Sequence, residues 1–268
     1  MKDTVLSFYD ALADHYHLIF DDWGKAIDRQ VGILQPLLAT YAPAAHLKIL
    51  DCACGIGTQA LGLASTGHQV IASDISPAAV NRARQEASRR SLDVSFYVSD
   101  ITSLKEVAED KFDVVMAMDN ALPHLNHPQL LRALRAIASK LERNGLFMAS
   151  IRDYDKLMVE RPLMQPPVFY GSQGTRRIVH QVWDWLDDSR YIVHLYITGR
   201  FQPESDAGWE THHFVSEYRC LLRDELSTAL SSTGFQQIRW LMPFESGFYQ
   251  PIVMAKSRGI PLATPAPV

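Results

Sequence analysis

The chain is poor in cysteine, in long apolar runs and in surplus charge, and each shortage removes a class of function. Cys52, Cys54 and Cys220 are the only cysteines in 268 residues. Three make no even disulfide framework, and Cys52 and Cys54 stand too close to pair comfortably. A reducing compartment is the expectation, and a cytoplasmic one. No second cluster of ligands at suitable spacing accompanies Cys52-x-Cys54, so no metal is expected there, and the two read as small residues packing behind a loop. No apolar run approaches the roughly 20 residues that span a bilayer. The chain opens on charged Lys2 and Asp3 without an apolar signal region, so a soluble, unprocessed protein is expected, with no membrane partner. The 26 basic and 30 acidic residues give a formal net charge of −4, which excludes a general attraction to nucleic acid or to an anionic membrane. The basic run Arg82, Arg84, Arg89 and Arg90 reads as a solvated helix face. No internal repeat is present.

What is there suits one α/β domain with an insertion: 47% of residues are hydrophobic and 21% charged. Val5, Tyr9, Leu12 and Tyr16, then Ile27, Val31, Leu34 and Leu38, recur at helical spacing. Two helices therefore precede the first strand. The aromatic stretch between them, residues 16–23, fits either a helix pair packed on a sheet edge or a lid. From residue 47 onward short β-prone runs alternate with helical ones: strands at 47–50, 70–73, 94–98, 112–116 and 146–151, helices at 59–65, 77–90 and 128–141. Ser76 and Pro77 supply a cap and a first helical position. That alternation specifies a parallel, doubly wound sheet whose ligands bind beyond the strand C-termini. After residue 152 the runs 176–185, 191–200 and 209–218 turn β-branched and aromatic, as in an antiparallel meander. A helix over 222–232 and strands at 238–242 and 251–255 complete seven strands. The expected organisation is a helical lid over 1–45, a core over 46–152 and 219–256, a β-rich substrate-covering insertion over 153–218, and a disordered Pro-containing tail over 257–268.

Asp51-Cys52-Ala53-Cys54-Gly55-Ile56-Gly57-Thr58 places an acid and two glycines at the end of the first strand, and Asp74 closes the second. Glycines permit a tight turn and close backbone approach to a ligand, and an acid in the position of Asp74 can accept from both hydroxyls of a ribose. Gly55-x-Gly57-x-x-Ala60 with Asp74 also fits the loose dinucleotide fingerprint of a nicotinamide-dependent oxidoreductase. Charge separates the two. Asp51 would repel a pyrophosphate, whereas the ammonium and sulfonium of S-adenosylmethionine are attracted to it.

With Ser73-Asp74-Ile75-Ser76, Asn120-Ala121-Leu122-Pro123-His124-Leu125 and Arg152-Asp153-Tyr154-Asp155, the chain resembles the class I S-adenosylmethionine-dependent methyltransferases, and more narrowly their glycine and sarcosine N-methyltransferase-like group. The resemblance runs from about Tyr9 to Ala255 and implies a Rossmann-like methyltransferase fold. It implies that Asp51, Ala53, Gly55 and Gly57 lie along the methionine part of the cofactor, that Asp74 and Ile75 hold the ribose, that Asp100 and Ile101 bracket the adenine and that Met118 packs nearby. In the N-terminal region Tyr9, Tyr16, Trp23 and Arg29 would close over the cofactor, with Arg29 on its carboxylate, or else Arg29 is solvated beside Asp28 on a helix. In the same way Asn120 and Arg152 would bind an amino-acid substrate, Arg152 through a bidentate grip on its carboxylate, or else Arg152 makes an ion pair with Asp153 or Asp155. His124 is the candidate base, or a structural histidine. In the meander, Arg177, His180, Trp183, Trp185, His194, His212, His213 and Tyr218 are candidate pocket walls. The expected reaction is N-methylation of a small molecule, with glycine, sarcosine or a related amino acid leading and an aromatic or heterocyclic natural product, methylated at nitrogen or oxygen, as the alternative. A homo-oligomer is compatible with this reading. Met118-Asp119-Asn120-Ala121 is not the Asn-Pro-Pro-Tyr-type motif of enzymes that methylate base amino groups, which argues against nucleic acid as substrate.

Overall fold

The computed structural model describes residues 2–172, 175–201 and 208–259. Helix α1 (Lys2–Leu12), a 3₁₀ turn (Tyr16–Ile19) and α2 (Trp23–Tyr41) lead into β1 (Lys48–Asp51). There follow α3 (Thr58–Ser65), β2 (Gln69–Asp74), α4 (Pro77–Arg89), β3 (Val94–Val98), β4 (Phe112–Ala117), α5 (His127–Lys140) and β5 (Leu141–Ser150). The seven-stranded sheet is closed by α7 (Arg223–Ser232), β10 (Phe235–Leu241), a short α8 (Pro243–Ser246) and β11 (Ile252–Ser257). Between β5 and α7 lie α6 (Tyr154–Glu160) and a second, antiparallel sheet of β6 (Met164–Tyr170), β7 (Arg177–Trp185), β8 (Arg190–Gly199) and β9 (Glu210–Arg219).

Strand order in the large sheet is β10-β11-β5-β4-β1-β2-β3, parallel except for β11, which runs antiparallel to both β5 and β10. The order reverses between β4 and β1, so the crevice for a ligand opens beyond Asp51 and Ala117. Both faces are covered, as the near-continuous apolar strands require. Leu50, Ile71, Val115 and Phe147 meet Leu130, Leu134 and Ile137 of α5 on one face. Ile49, Val70, Val114 and Met148 meet Leu34 and Leu38 of α2 and Leu63 of α3 on the other. The first of these cores continues without a break into Trp183, Tyr191, Val193 and Tyr218 of the second sheet. Phe8 and Leu12 of α1 pack against Val179, Leu195, Ile197 and Phe214, so the N-terminal helix lies on the inner face of that sheet.

The seven-stranded, mostly parallel sheet and the antiparallel insertion match the sequence expectation. Within the insertion two elements depart from it. The insertion has a fourth strand, β6, which Pro166 and Pro167 disguised: both lie where the register with β7 shifts, between Gln165 and Val168, and a proline without its donor is tolerated at such an irregularity on an edge strand. Helix α6 is capped by Asp153, whose side chain accepts from the Lys156 amide, at the start of the insertion expected to be β-rich. The expected tail is only partly described. Ser257 ends β11, and 260–268 lie outside the described residues.

Gly57 shows how tightly the first turn is specified. It caps α3 with φ 95° and ψ 21°, a region open to glycine at little penalty, and a Cβ there would stand 3.2 Å from the Ala83 Cβ of α4 and from Leu61. Gly57→Ala is therefore expected to lower the unfolding free energy by about 1–3 kcal/mol, read from urea denaturation. An unchanged midpoint would mean that α4 yields to the extra carbon.

Candidate functional site

Two cavities adjoin the C-terminal ends of β1, β2, β3 and β4. The first is lined by Cys52 to Ile56, Asp74, Ile75, Ser99 to Thr102, Met118, Asp119, His124 and Gln129, and is roofed by Val5, Tyr9 and Tyr16. The second, about 650 Å³, is bounded by Asp119, Asn120, Arg152, Gln181, Trp183, Tyr218 and Tyr249 among others, and reaches the inner face of the antiparallel sheet. Tyr9, Tyr16 and Asp119 border both cavities.

The first cavity suits a nucleoside with a cationic tail. Asp74 takes one backbone N–H on each oxygen, from Gly55 and Ser76, both at 2.9 Å. Each oxygen keeps a lone pair for a ribose hydroxyl. Ile75, Ile101, Met118 and Leu125 supply apolar surface for a flat base. Asp100 is oriented by the Thr102 amide at 2.9 Å. Asp51 is fully buried under the loop and is no part of the cavity surface. Its Oδ1 receives only a long bond from the Ala53 amide, 3.4 Å, and its Oδ2 has no hydrogen-bond partner. Burial, reinforced by Asp74 and Asp119, pushes its carboxyl up to about 8. An orphaned carboxyl oxygen beneath the methionine-side loop is a partner that an ammonium would draw into its ionised form, so the residues present suit S-adenosylmethionine.

Several expected residues sit elsewhere than the motif reading implied. Gly57 faces α4 and not the cavity, because its positive φ starts a helix. Trp23 lines neither cavity: its indole N–H donates to Thr58 Oγ1 at 2.9 Å and its ring packs with Ile27, Ile56, Leu61 and Ala79, so it braces the loop from behind. Arg29, exposed on α2, borders the second cavity and not the first. Tyr16, Ala53, Gly55, Asp74, Ile75, Asp100, Ile101 and Met118 do converge on the first. Among the described residues there is no cluster fit for a metal.

On the acceptor side the chain turns sharply after β4. Asp119 and Asn120 adopt φ of 55° and 69° in succession. Such backbone costs on the order of 1 kcal/mol or more per residue, and Asp and Asn are the side chains that bear it best. The turn sends Asn120 inward, where its Oδ1 accepts from the Arg152 amide at 2.9 Å and it exchanges bonds with the Tyr154 hydroxyl at 3.0 and 3.1 Å. Arg152 donates to the Tyr191 hydroxyl at 2.7 Å and to Gln181 Oε1 at 3.2 Å, with Trp183 and Tyr218 rings 4.8 and 5.2 Å from its guanidinium carbon. Its two acidic neighbours are otherwise engaged: Asp153 and Asp155 pair with Arg223 at 2.7 and 3.3 Å. His124 lies against Tyr218, ring centroids 4.1 Å apart, and shares a 3.0 Å bond between its Nε2 and the Tyr9 hydroxyl. Burial and the nearby Arg152 charge drive its pKa down to about 3, so the ring is neutral.

Of the meander candidates, His180, Trp183 and Tyr218 line the second cavity. His194 and His213 bond to each other at 2.9 Å on the opposite face, and Arg177 donates to the carbonyls of Leu18, Phe20 and Asp21. Gln181 and Asp119 were not singled out from the sequence. The alternation Val179, Gln181, Trp183 carried a signal for the first, and the Asp-Asn pair at a strand end for the second.

Asp51 sets a pH dependence. With its carboxyl held near 8, the folded chain retains a proton that the unfolded chain releases around pH 4, so stability falls as pH rises between those values, by at most about 1.4 kcal/mol per unit. Asp51→Asn should make this fall shallower in denaturation curves, leaving the part that Asp74 and Asp119 contribute in the same sense. It should also remove a rise in affinity for S-adenosylhomocysteine toward pH 8, read by titration calorimetry, because the ionised carboxylate is what attracts the ligand's ammonium.

Residues 49–145 match the family profile described as a methyltransferase domain. A ubiquinone biosynthesis O-methyltransferase from Xanthomonas campestris pv. campestris is 29% identical over 157 residues, 56% of this chain and 64% of that one. The chain thus spans just under two thirds of that relative's length. A glycine/sarcosine N-methyltransferase from Aphanothece halophytica is 23% identical over 204 residues, 76% of this chain and 71% of that one. The solved sugar N-methyltransferase KedS8 from Streptoalloteichus superposes with a TM-score of 0.71 at 16% identity, covering 91% of this chain and 92% of that one. By its matched domain and its fold, the chain is similar to the class I S-adenosylmethionine-dependent methyltransferases.

Proposed function

We propose that the chain methylates the amine nitrogen of a small molecule that also carries a carboxylate, an acceptor of the amino-acid type of which glycine and sarcosine are the smallest members. The observation that carries this reading is Arg152. Its guanidinium is permanently charged, it borders the second cavity, and no Asp or Glu among the described residues lies within ion-pair distance of it. The aromatic rings around it hold the fork in place for a carboxylate. The cavity's 650 Å³ exceeds what glycine needs, so the acceptor class extends to larger amino acids.

S-adenosylmethionine supplies a methyl group already activated on a sulfonium, which leaves positioning as the main task of the protein. Tyr9, Tyr16 and Asp119 bound the passage where the acceptor meets the donor. The α1 helix and the 3₁₀ turn serve as a lid over that passage, and the antiparallel sheet serves as the acceptor's far wall. His124, held near pKa 3, is too weak a base to ionise a phenol, which favours nitrogen over oxygen. A second reading, an aromatic or heterocyclic acceptor, draws on the Trp183 and Tyr218 rings that face the cavity.

Thermal stabilisation by S-adenosylhomocysteine and not by NAD is expected, followed by methyl transfer to members of a panel of glycine, sarcosine, larger amino acids and planar heterocycles. Arg152→Lys keeps the charge but loses the fork, and should raise KM for carboxylate-bearing acceptors by about 100-fold while sparing amines that lack a carboxylate. Equal KM values in the variant and the wild type would remove Arg152 from substrate recognition.

A further inference from the structure

Asp119 has no role in the reading above beyond bordering the passage, yet its placement is specific. Of the three side chains common to both cavities it is the sole carboxylate, the others being Tyr9 and Tyr16. Its two oxygens are pinned, Oδ2 by Gln59 Nε2 at 2.7 Å and Oδ1 by the Tyr249 hydroxyl at 2.6 Å. Each keeps a lone pair. Among the described residues, no Lys, Arg or His lies within ion-pair distance of it, so its charge is left uncompensated by the chain. Arg152, by contrast, borders the second cavity alone. The acceptor cavity therefore has a carboxylate where it meets the donor cavity and a positive group on the part of its wall that the donor cavity does not share.

We propose that Asp119 receives the ammonium end of the acceptor and takes one of its protons, delivering the amine neutral at the junction of the two cavities. This rests on the amine-methylation reading. An amino acid orients itself in such a field, carboxylate to Arg152 and nitrogen to Asp119. An N–H bond of the ammonium breaks, an O–H bond forms on an Asp119 oxygen, and the nitrogen keeps the electron pair; that pair would form the N–C bond as the donor's C–S bond breaks and its electrons leave with the sulfur. The product is again an ammonium, and Asp119 returns its proton to solvent, so one proton is released per turnover. The route outward is short: the ring of Tyr249, whose hydroxyl sits on Asp119, is 61% exposed.

The charged and titratable groups around Asp119 favour this uptake. Asp51 at the end of β1 is held protonated by burial, helped by the charges of Asp74 and Asp119, and so does not compete for the ammonium. Tyr16 faces it as a neutral phenol, its ionisation pushed up by burial and by Asp119 itself, Tyr249 donates its hydroxyl to it, and Tyr9 roofs the junction. His124 across the first cavity is neutral. Arg29 of α2 and Arg152 after β5 share the second cavity and act in the opposite sense. Burial outweighs the bonds from Tyr249 and Gln59 and holds the Asp119 carboxyl above the usual carboxylate range.

The test uses Asp119→Asn, which keeps the shape and tolerates the left-handed backbone, alongside Tyr249→Phe, which removes a hydrogen bond and leaves the charge. With S-adenosylmethionine saturating and sarcosine as acceptor, kcat/KM of the wild type should be nearly flat from pH 7 to 9. In Asp119→Asn it should climb about tenfold per unit toward the amine's own pKa, roughly 10 by analogy with lysine, so that activity at pH 7 falls by about 100-fold or more. Tyr249→Phe should keep the flat profile. Binding gives an independent readout. Protein saturated with S-adenosylhomocysteine should prefer dimethylglycine to its carbon isostere 3-methylbutanoate, and Asp119→Asn should lose that preference while its affinity for S-adenosylhomocysteine stays within about twofold. A flat profile and intact preference in the variant would overturn the role of Asp119 alone. A loss of S-adenosylhomocysteine affinity with the preference intact would assign the carboxylate to the donor instead. Wild-type protein that binds and methylates no amine but accepts a phenol would sink the amine reading, and this inference with it.

Discussion

The acceptor side of the molecule depends on one hydrogen-bonded knot at the ends of β4 and β5. Asn120 accepts from the Arg152 amide and trades bonds with Tyr154, Tyr154 meets Tyr191 at 3.1 Å, and Tyr191 receives a hydrogen bond from the Arg152 guanidinium. Tyr154 and Tyr191 are fully buried, so the bonds of Tyr154 to Asn120 and to Tyr191 are made away from water, where an unpaired polar group is expensive. The ring joins a strand-end loop of the large sheet, the start of α6 and the second strand of the antiparallel hairpin β7–β8. It therefore fixes the second sheet against the first and holds Arg152 at the cavity wall in the same act. Asn120 is consumed by this work, and its contribution to an acceptor runs through the residues it aligns.

The second organising constraint is charge. Three carboxylates, Asp51, Asp74 and Asp119, gather at the C-terminal ends of β1, β2 and β4, and burial raises the pKa of all three. Asp74 is steadied by two backbone amides, Asp51 by one long contact, and Asp119 by two side chains. Held this way, the carboxylates remain costly in the unliganded chain and become favourable when a cationic ligand arrives. A site of this sign has little to offer a pyrophosphate and much to offer a sulfonium, an ammonium or both.

Much of the large sheet was legible because both its faces are covered, which makes β1, β2 and β4 read as short apolar runs bounded by turn residues. The donor side was legible for a related reason: tight turns demand glycine, and Gly55, Asp74 and Asp100 stand at strand ends where residue type and geometry constrain each other. What escaped was long-range. Trp23 looked like a lid aromatic, and only the packing of α2 against α3 reveals its bond to Thr58. Strand β6 hid behind Pro166 and Pro167, whose tolerance depends on a register shift that no local pattern announces. Asp119 gains its meaning from two cavities that meet across distant segments, a juxtaposition with no signature in the chain.

One feature of the N-terminal segment bears on how ligands come and go. Asp10 of α1 accepts from Ser76 Oγ at 2.5 Å and from the Ala78 amide at 3.2 Å, at the start of α4, while Phe8 and Leu12 of the same helix rest on the antiparallel sheet and Arg177 of that sheet grips the carbonyls that follow the 3₁₀ turn. Val5, Tyr9 and Tyr16 roof the donor cavity from this same segment. A cover sewn to two bodies cannot lift from one without loosening its hold on the other. Any movement that uncovers the first cavity there also disturbs the wall of the second, so the two cavities cannot be exposed independently from this side.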